Sequence, residues 1–236
     1  MKRRLVFFVI FAAFAVSASV ATLAQVTSDR LLRASEEPQN WITYSGGYAG
    51  WRHSLLTQIT PANVKNLELK WILPNQVFGA WQSSPIVVDG MMYVTQRPND
   101  VLAVDAKTGR VFWQYRYTVS PDARVCCGAN NRGVAILGDS LFMGTLDGHL
   151  VAIDRTSGRS QWDVPVGDPK LGYSITMAPL IVKDKVLVGS GGGEYGIRGF
   201  IAAFDTKTGK ELWRFYPIPG PGEKGHDTWE GDSWKS

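Results

Sequence analysis

The sequence is poor in the residues that most often bind metal ions, attach haem or link distant loops. Its 236 residues include two cysteines and three histidines. The histidines, His53, His149 and His226, do not show the close spacing of metal ligands, so we assign them no role. No C-x-x-C-H run occurs, which excludes a c-type haem within this chain. Long helical periodicity is also missing after the first 24 residues, which argues against a helical bundle.

The two cysteines are neighbours, Cys126 and Cys127, so a disulfide between them would link no distant loops. Adjacent Cα atoms across a trans peptide lie about 3.8 Å apart, whereas a relaxed disulfide spans roughly 4.4–6.8 Å. A bond between them would close a small, strained ring that serves local shape. Two free thiols that happen to be adjacent are the alternative, and the pair alone does not decide between the two.

The N-terminus has the pattern of an export signal. Residues 2–4 are Lys-Arg-Arg, and residues 5–24 carry no charge. Ala21 and Ala24 form an A-x-x-A pattern before Gln25, close to that of a cleavage site, and a retained membrane anchor is the alternative. Either interpretation places the rest of the chain outside the cytoplasm, where oxidising conditions permit a disulfide.

Excess charge of one sign is also lacking. The formal net charge is +4, and removal of the three basic residues at positions 2–4 leaves +1. No lipid-attachment cysteine lies near the cleavage site. A nearly neutral mature chain gives no support for a nucleic-acid partner, despite a sequence pI of about 9.1.

A pattern that ends in tryptophan recurs three times in the body of the chain. Residues 103–113, 152–162 and 203–213 share A-x-D-x-x-[ST]-G-[KR]-x-x-W, and their tryptophans lie 49 and 51 residues apart. A period of this size is typical of solenoids, propellers and arrays. We interpret the run before Asp as a strand, the Asp-to-Gly stretch as a tight turn, and the run into Trp as the returning strand. The indole is large enough to pack between neighbouring units.

Each unit also contains an earlier β-hairpin. β-rich runs surround Asp- and Gly-containing turns in residues 84–94, 133–143 and 178–188. Two hairpins give four strands, and four-stranded units predict an all-β propeller rather than a solenoid. A fainter partial unit ends at Trp71. Because propellers typically have about 4–8 blades, the chain is either an unusually small propeller or part of a larger one. The last loop has no strand after it, so we expect part of a larger propeller.

The tryptophan repeats resemble those of propellers that bind pyrroloquinoline quinone (PQQ). More specifically, the chain resembles the N-terminal part of the PQQ-dependent alcohol dehydrogenases, which include methanol and ethanol dehydrogenases. The resemblance implies an eight-bladed propeller when complete, of which somewhat less than half is present. Together with the export signal read from the N-terminus, this gives a signal peptide at 1–24, a lead-in at 25–40 and a partial propeller at 41–236.

The cysteine pair and an arginine, all after the first repeat, make this resemblance specific to the PQQ-dependent alcohol dehydrogenases. In the family, adjacent cysteines form a vicinal disulfide over one face of the quinone, which implies a Cys126–Cys127 disulfide that contacts the cofactor. An arginine shortly after the pair contacts the quinone oxygens, and Arg132 stands at that position. A guanidinium donates to such oxygens without changing its protonation state. A surface arginine in a turn is the alternative.

The glycine-rich segment 189–199 supplies the third element. The family has a glutamate here that binds the metal ion beside the quinone, which implies that Glu194 binds calcium or a lanthanide. Oxygen ligands suit such hard cations. We expect the backbone amides of Gly192 and Gly193 to face the carboxylates of PQQ. Without the resemblance, the segment would be a glycine-rich hairpin with a solvated glutamate.

Three further positions agree less completely with the family. Thr176 falls where the family has a hydroxyl residue that hydrogen-bonds PQQ; an ordinary strand threonine is the alternative, and Ser174 is a weaker neighbouring candidate. Gln82 stands where members often carry a glutamate that contacts the cofactor, so it can form hydrogen bonds but brings no charge. Gly191 stands where some members have a serine.

The resemblance implies an exported, periplasmic oxidoreductase that oxidises alcohols with PQQ and a metal ion. Its expected partners are a small alcohol and, as electron acceptor, cytochrome c or a quinone. We expect the catalytic aspartate to lie beyond Ser236, because Asp227 and Asp232 are too near the last repeat, and we therefore expect the isolated chain to be inactive. Homo-oligomerisation and association with a membrane stay open.

Two other classes of protein share some of these features. A non-enzymatic propeller scaffold of the outer-membrane assembly type has tryptophan repeats, but it needs neither the cysteine pair nor Arg132 nor Glu194. A membrane-bound PQQ-dependent sugar dehydrogenase carries several spanning helices at its N-terminus, whereas this chain has one apolar segment. We therefore prefer the alcohol dehydrogenase.

Overall fold

The structure is a computed structural model that describes residues 25–75 and 77–235. It contains three four-stranded antiparallel sheets, each of which is a propeller blade. In every blade the strands follow one another in chain order. Blade 1 comprises β1 (Ile86–Val88), β2 (Met91–Gln96), β3 (Asp100–Asp105) and β4 (Val111–Tyr115). Blade 2 comprises β5 (Ala135–Leu137), β6 (Ser140–Gly144), β7 (His149–Asp154) and β8 (Ser160–Pro165). Blade 3 comprises β9 (Leu180–Val182), β10 (Lys185–Gly189), β11 (Ile201–Asp205) and β12 (Glu211–Phe215).

Within residues 25–75 and 77–235, little regular structure lies outside the blades. One α-helix, α1, spans Ser28–Leu32 and begins at Thr27, whose side-chain oxygen accepts a hydrogen bond from the Arg30 amide at 3.1 Å. The sequence pattern did not predict this helix. Six short 3-10 turns cover Ala34–Glu36, Val64–Asn66, Pro169–Leu171, Gly193–Tyr195, His226–Thr228 and Ser233–Lys235. The predicted export signal lies outside the described residues, and none of the helices within them has the length and apolarity needed to cross a membrane.

The third strand of each blade is buried on both faces, which explains its continuous apolar sequence. β3 and β7 contain the buried runs Val-Leu-Ala-Val and Leu-Val-Ala-Ile. The fourth strands β4 and β8 instead alternate between exposed and half-buried residues, because a neighbouring unit covers only one of their faces. The core therefore lies between the blades, where Tyr93, Phe142 and Phe204 are fully buried.

The repeated Asp-to-Gly stretch folds as the same turn in all three blades. In blade 3, Asp205 Oδ1 accepts hydrogen bonds from the amides of Lys207 and Thr208 at 3.1 and 2.8 Å and from the Thr208 hydroxyl at 2.8 Å. The Thr208 hydroxyl and amide bonds hold the pKa of Asp205 below its ordinary value. Gly209 has a φ of +70° and donates its amide to the Asp205 carbonyl at 2.9 Å. In every blade, the pairing between the third and fourth strands contains a β-bulge next to this turn.

Trp71, Trp113 and Trp162 each pack on the turn glycine of the unit that follows. A Cβ atom built on Gly158 would lie 2.6 Å from the ring of Trp113, so the close approach requires glycine. The indole also donates to a carbonyl of the same turn, at 3.1 Å between Trp113 Nε1 and Arg155 O. This packing links consecutive blades, as the sequence predicted. The packed pairs are Trp71 with Gly109, Trp113 with Gly158, and Trp162 with Gly209.

The partial unit that ends at Trp71 packs like the others but pairs with no strand of the described residues. Trp71 Nε1 donates to the Ala106 carbonyl at 3.2 Å, which is the contact made by the other indoles. Leu67 and Leu69, just before it, are exposed. At the opposite end, Trp213 in β12 is 43% exposed. The predicted all-β propeller of four-stranded, tryptophan-docked blades is confirmed, with three blades in the described residues.

Candidate functional site

Three separate segments meet at one cavity. The segment after blade 1 is joined to the segment before blade 3 by a hydrogen bond from the Arg132 amide to the Thr176 carbonyl at 3.1 Å. The loop between β10 and β11 is joined to the same region by a hydrogen bond from the Gly191 amide to the Ser174 carbonyl at 2.6 Å. Together they enclose a cavity of about 160 Å³. It is lined by Val125, Cys126, Cys127, Gly128, Asn130, Arg132, Ser174, Thr176, Gly191, Gly192, Glu194 and Tyr195.

Cys126 and Cys127 form a disulfide in the wall of this cavity, with their Cα atoms 3.8 Å apart. Both residues are exposed. The sulfur atoms and a carboxylate oxygen of Glu194 all lie within 4.8 Å of one another. Because a disulfide offers no thiolate, Glu194 is the only member of this group that can bind a hard cation. The disulfide instead presents a small uncharged surface beside the carboxylate.

The side chain of Arg132 is held in position by Thr176, which the sequence predicted as a further contact of the cofactor. Its Nη1 donates to Thr176 Oγ1 at 2.8 Å and to the Thr176 carbonyl at 3.2 Å. The Arg132 carbonyl accepts from the amide of Ser84 at 3.0 Å, which ties the segment to blade 1. A guanidinium carries five N–H donors, so donors are left over for a bound molecule. The cavity therefore holds a positioned positive charge.

Two neighbouring glycines of the glycine-rich loop, Gly192 and Gly193, have different surroundings. Gly192 has a φ of +109°, and a Cβ atom there would lie 2.0 Å from the Gly172 carbonyl oxygen, so internal packing requires glycine. A Cβ atom on Gly193 would meet nothing within 4 Å, and Gly193 is exposed and does not line the cavity. Among the described residues, neither amide has a hydrogen-bond acceptor. Gly192 thus lies at the cavity, and Gly193 lies beside it.

Gln82 is placed differently from the other candidates. It is exposed and does not line the cavity, although Ser84, two residues later, contacts Arg132 through the backbone. The structure thus brings six of the eight predicted site residues together and leaves Gly193 and Gln82 outside. The six are Cys126, Cys127, Arg132, Thr176, Gly192 and Glu194.

Asn130 and Arg97 make hydrogen bonds to the disulfide segment that the sequence did not predict. Asn130 lines the cavity, is 7% exposed, and donates its side-chain amide to the Cys127 carbonyl at 3.0 Å. Arg97 supports the same turn from outside the cavity by donating Nε to the Ala129 carbonyl at 3.0 Å. Asn130 lies inside the motif that singled out its neighbours, but an asparagine before a glycine-containing turn is too common to indicate a role. Nothing in the sequence around Arg97 indicates this contact.

The chemistry of these groups fits part of a site for PQQ and a metal ion. The fixed guanidinium suits the carboxylate and quinone oxygens of PQQ, and the nearby disulfide offers a surface for a flat ring system. The carboxylate of Glu194 suits calcium or a lanthanide. Calcium takes about 6–8 oxygen ligands, and Glu194 supplies the one carboxylate among the described residues that line the cavity. The remaining ligands would have to come from the cofactor or from further polypeptide.

Propeller blades, a vicinal disulfide, a fixed arginine and an adjacent carboxylate are the features expected of a quinoprotein propeller. Residues 41–236 match the family described as "PQQ: Glucose/ethanol/alcohol dehydrogenase, beta-propeller domain". The chain belongs to this family, which confirms the resemblance inferred from the repeats and the cysteine pair.

Individual relatives agree with the family match. The chain is 40% identical over 229 residues to the quinohemoprotein alcohol dehydrogenase ADH IIB of Pseudomonas putida, covering 92% of this chain and 33% of the relative. It is 37% identical over 232 residues to the lanthanide-dependent methanol dehydrogenase of Methylacidiphilum fumariolicum, covering 88% of this chain and 38% of the relative. The chain thus spans about a third of the length of the curated relatives it matches.

Solved structures show the same relationship. The quinohemoprotein alcohol dehydrogenase ADHIIG of Pseudomonas putida HK5 superimposes with a TM-score of 0.82 at 39% identity, covering 90% of this chain and 33% of that structure. A europium-containing methanol dehydrogenase superimposes with a TM-score of 0.80 at 37% identity, covering 88% and 40%. The arrangement of the blades is therefore that of the dehydrogenase propellers.

Proposed function

We propose that this chain is part of an exported, periplasmic dehydrogenase that oxidises small alcohols with PQQ and a calcium or lanthanide ion. The chain contributes one side of the cofactor site, and cytochrome c or a quinone accepts the electrons. The basic and uncharged residues at 1–24 support export. Family membership supports the reaction class, because the relatives are named as alcohol and methanol dehydrogenases.

A single observation carries this proposal. The disulfide of Cys126 and Cys127, the guanidinium of Arg132 and the carboxylate of Glu194 border one cavity, although Glu194 is far from the cysteines in sequence. A propeller that served only as a scaffold would gain nothing from bringing these groups together. The convergence therefore favours a cofactor-binding enzyme over the outer-membrane scaffold.

The side chains at the cavity have separate proposed roles. When bound, PQQ would supply the acceptor for the hydride, which carries the two electrons that leave the alcohol, while the proton of the hydroxyl group goes to the catalytic base. Arg132, held in place by Thr176, donates hydrogen bonds to oxygen atoms on which negative charge develops. Glu194 holds the metal ion, and the amides of Gly192 and Gly193 are proposed donors to carboxylate oxygens. Cys126 and Cys127 cover one face of the ring system.

We place the catalytic base outside this chain. The role needs a carboxylate within hydrogen-bond reach of the alcohol, and among the described residues Glu194 is the one carboxylate at the cavity, where it is assigned to the metal. Asp227 and Asp232 do not line it. The 236-residue chain by itself should therefore show no turnover.

Reconstitution of the complete gene product tests this function. The protein should oxidise short primary alcohols with an artificial dye as acceptor only when both PQQ and calcium or a lanthanide are added. Omission of PQQ, omission of the metal and heat-inactivated protein are the controls. If neither metal supports oxidation of any short alcohol by PQQ-loaded protein, the substrate assignment is wrong. Reduction of added cytochrome c, compared with that of a soluble quinone, then identifies the acceptor.

A further inference from the structure

Asn130 has a role that its position in the motif did not indicate. We infer that Asn130 holds the disulfide turn in place with its amide N–H and accepts a hydrogen bond from the bound cofactor with its amide oxygen. The second half rests on the proposed function, because it requires PQQ in the cavity. The first half stands on the protein alone.

The positioning contact is direct. Asn130 Nδ2 donates to the Cys127 carbonyl at 3.0 Å, and the Asn130 amide donates to the Gly128 carbonyl at 2.8 Å. These two bonds close a compact turn around the second cysteine. Only the NH₂ end of the side chain can donate to a carbonyl, so this contact also fixes which end of the amide is oxygen. Asn130 therefore anchors the disulfide to the wall of the cavity.

The second observation is that the side-chain oxygen of Asn130 lacks a hydrogen-bond partner. Asn130 Oδ1 is buried and has no hydrogen-bond partner among the described residues. A buried polar atom without a partner is destabilising, so such an atom is expected to find its partner in a water, an ion or a ligand. The side chain lines the same cavity as Arg132 and Glu194. The cavity thus offers a ligand one positive donor group at Arg132 and one neutral acceptor at Asn130.

PQQ can use both kinds of group. Its carboxylate and quinone oxygens accept hydrogen bonds, and its pyrrole N–H donates one. An acceptor therefore favours a ligand that carries a ring N–H over a purely anionic one of similar size. This assigns Asn130 to recognition of the cofactor rather than to the metal, since Glu194 provides the charged oxygen near the disulfide.

The anchoring half is tested without cofactor in the complete gene product. The rate at which dithiothreitol reduces the disulfide is followed by thiol release. Asn130→Leu keeps the side-chain size but loses the bond to Cys127, and should speed reduction about five-fold, the effect of one typical hydrogen bond. Asn66→Leu, at an exposed asparagine outside the cavity, is the matched control. Equal rates in wild type and Asn130→Leu would overturn this half.

The recognition half is tested by titrating PQQ and following tryptophan fluorescence. Asn130→Leu should weaken binding about five- to ten-fold, whereas Asn66→Leu should not. Asn130→Asp gives a readout that loss of the Cys127 contact alone would not, because its carboxylate would repel the carboxylates of PQQ and so weaken binding at pH 8 further than Asn130→Leu does. Its affinity should fall about ten-fold or more below wild type at pH 8 and largely recover at pH 5, where a buried carboxyl binds a proton.

The outcomes separate this inference from the proposed function. If wild type binds PQQ and the gap between wild type and Asn130→Asp is the same at both pH values, Asn130 does not face the cofactor and the recognition half is wrong. If wild type does not bind PQQ at all, the proposed function fails and the recognition half fails with it. The reduction rates still decide the anchoring half in that case.

Discussion

Replacement of Gly158 by alanine tests the packing that joins the blades. Gly158 has a φ of +71°, and its Cβ atom would lie 2.6 Å from the indole ring of Trp113. Contacts below about 3 Å are not tolerated between carbon atoms, so either the turn or the indole must move. Movement of the indole would also break the 3.1 Å hydrogen bond from Trp113 Nε1 to the Arg155 carbonyl.

The expected loss of stability has three parts. The left-handed backbone conformation costs a residue with a Cβ atom about 1 kcal/mol. Overpacking against the indole costs about 1–3 kcal/mol, and loss of the indole hydrogen bond costs about 1 kcal/mol. We therefore expect Gly158→Ala to lower the free energy of unfolding of the complete gene product by about 3–5 kcal/mol, measured by urea denaturation.

Gly90→Ala is the matched control for backbone conformation. Gly90 has a φ of +80°, but its Cβ atom would meet nothing within 4 Å. It should lose only the conformational part, about 1 kcal/mol. If the two variants lose the same stability, the contact with the tryptophan does not hold the blades together and our account of the repeat is wrong.

Two further predictions concern single carboxylates. The Thr208 hydroxyl and amide hold the pKa of Asp205 below its ordinary value. Asp205 therefore stabilises the fold above about pH 3.9. This contribution disappears as the pH falls through the lowered pKa. The free energy of unfolding should therefore drop between pH 5 and acid pH by less in Asp205→Asn than in wild type; equal drops would contradict this. In PQQ-loaded complete protein, Glu194→Gln should weaken the binding of terbium or calcium at least about 10-fold, whereas Glu230→Gln, at an exposed position outside the cavity, should not. Unchanged metal affinity in Glu194→Gln would remove Glu194 from the metal site.

The blades could be predicted from the sequence because their determinants are local and repeated. Asp205, Thr208 and Gly209 form their turn through hydrogen bonds that span three or four residues, and the same residue types recur in the other repeats. Helix α1 was missed because a five-residue helix has too few turns to show an apolar period.

The site was predictable only in part. Arg132, Thr176 and Glu194 were found because they stand at positions that resemble the family's cofactor site, not because any spacing showed that they meet. Asn130 was missed because its role depends on the orientation of one side chain toward the Cys127 carbonyl. Gly192 was expected to serve the cofactor, and the structure adds a second requirement, its close packing against the Gly172 carbonyl.

The binding of PQQ to the complete gene product tests the central claim most directly, because it does not depend on which alcohol or electron acceptor is used. Titration in the presence of calcium or a lanthanide should show saturable binding of one PQQ per chain. Affinity should fall when Cys126 and Cys127 are reduced and also when Arg132 is replaced by alanine. Binding that is absent, or that is unaffected by both changes, would show that this cavity is not the cofactor site.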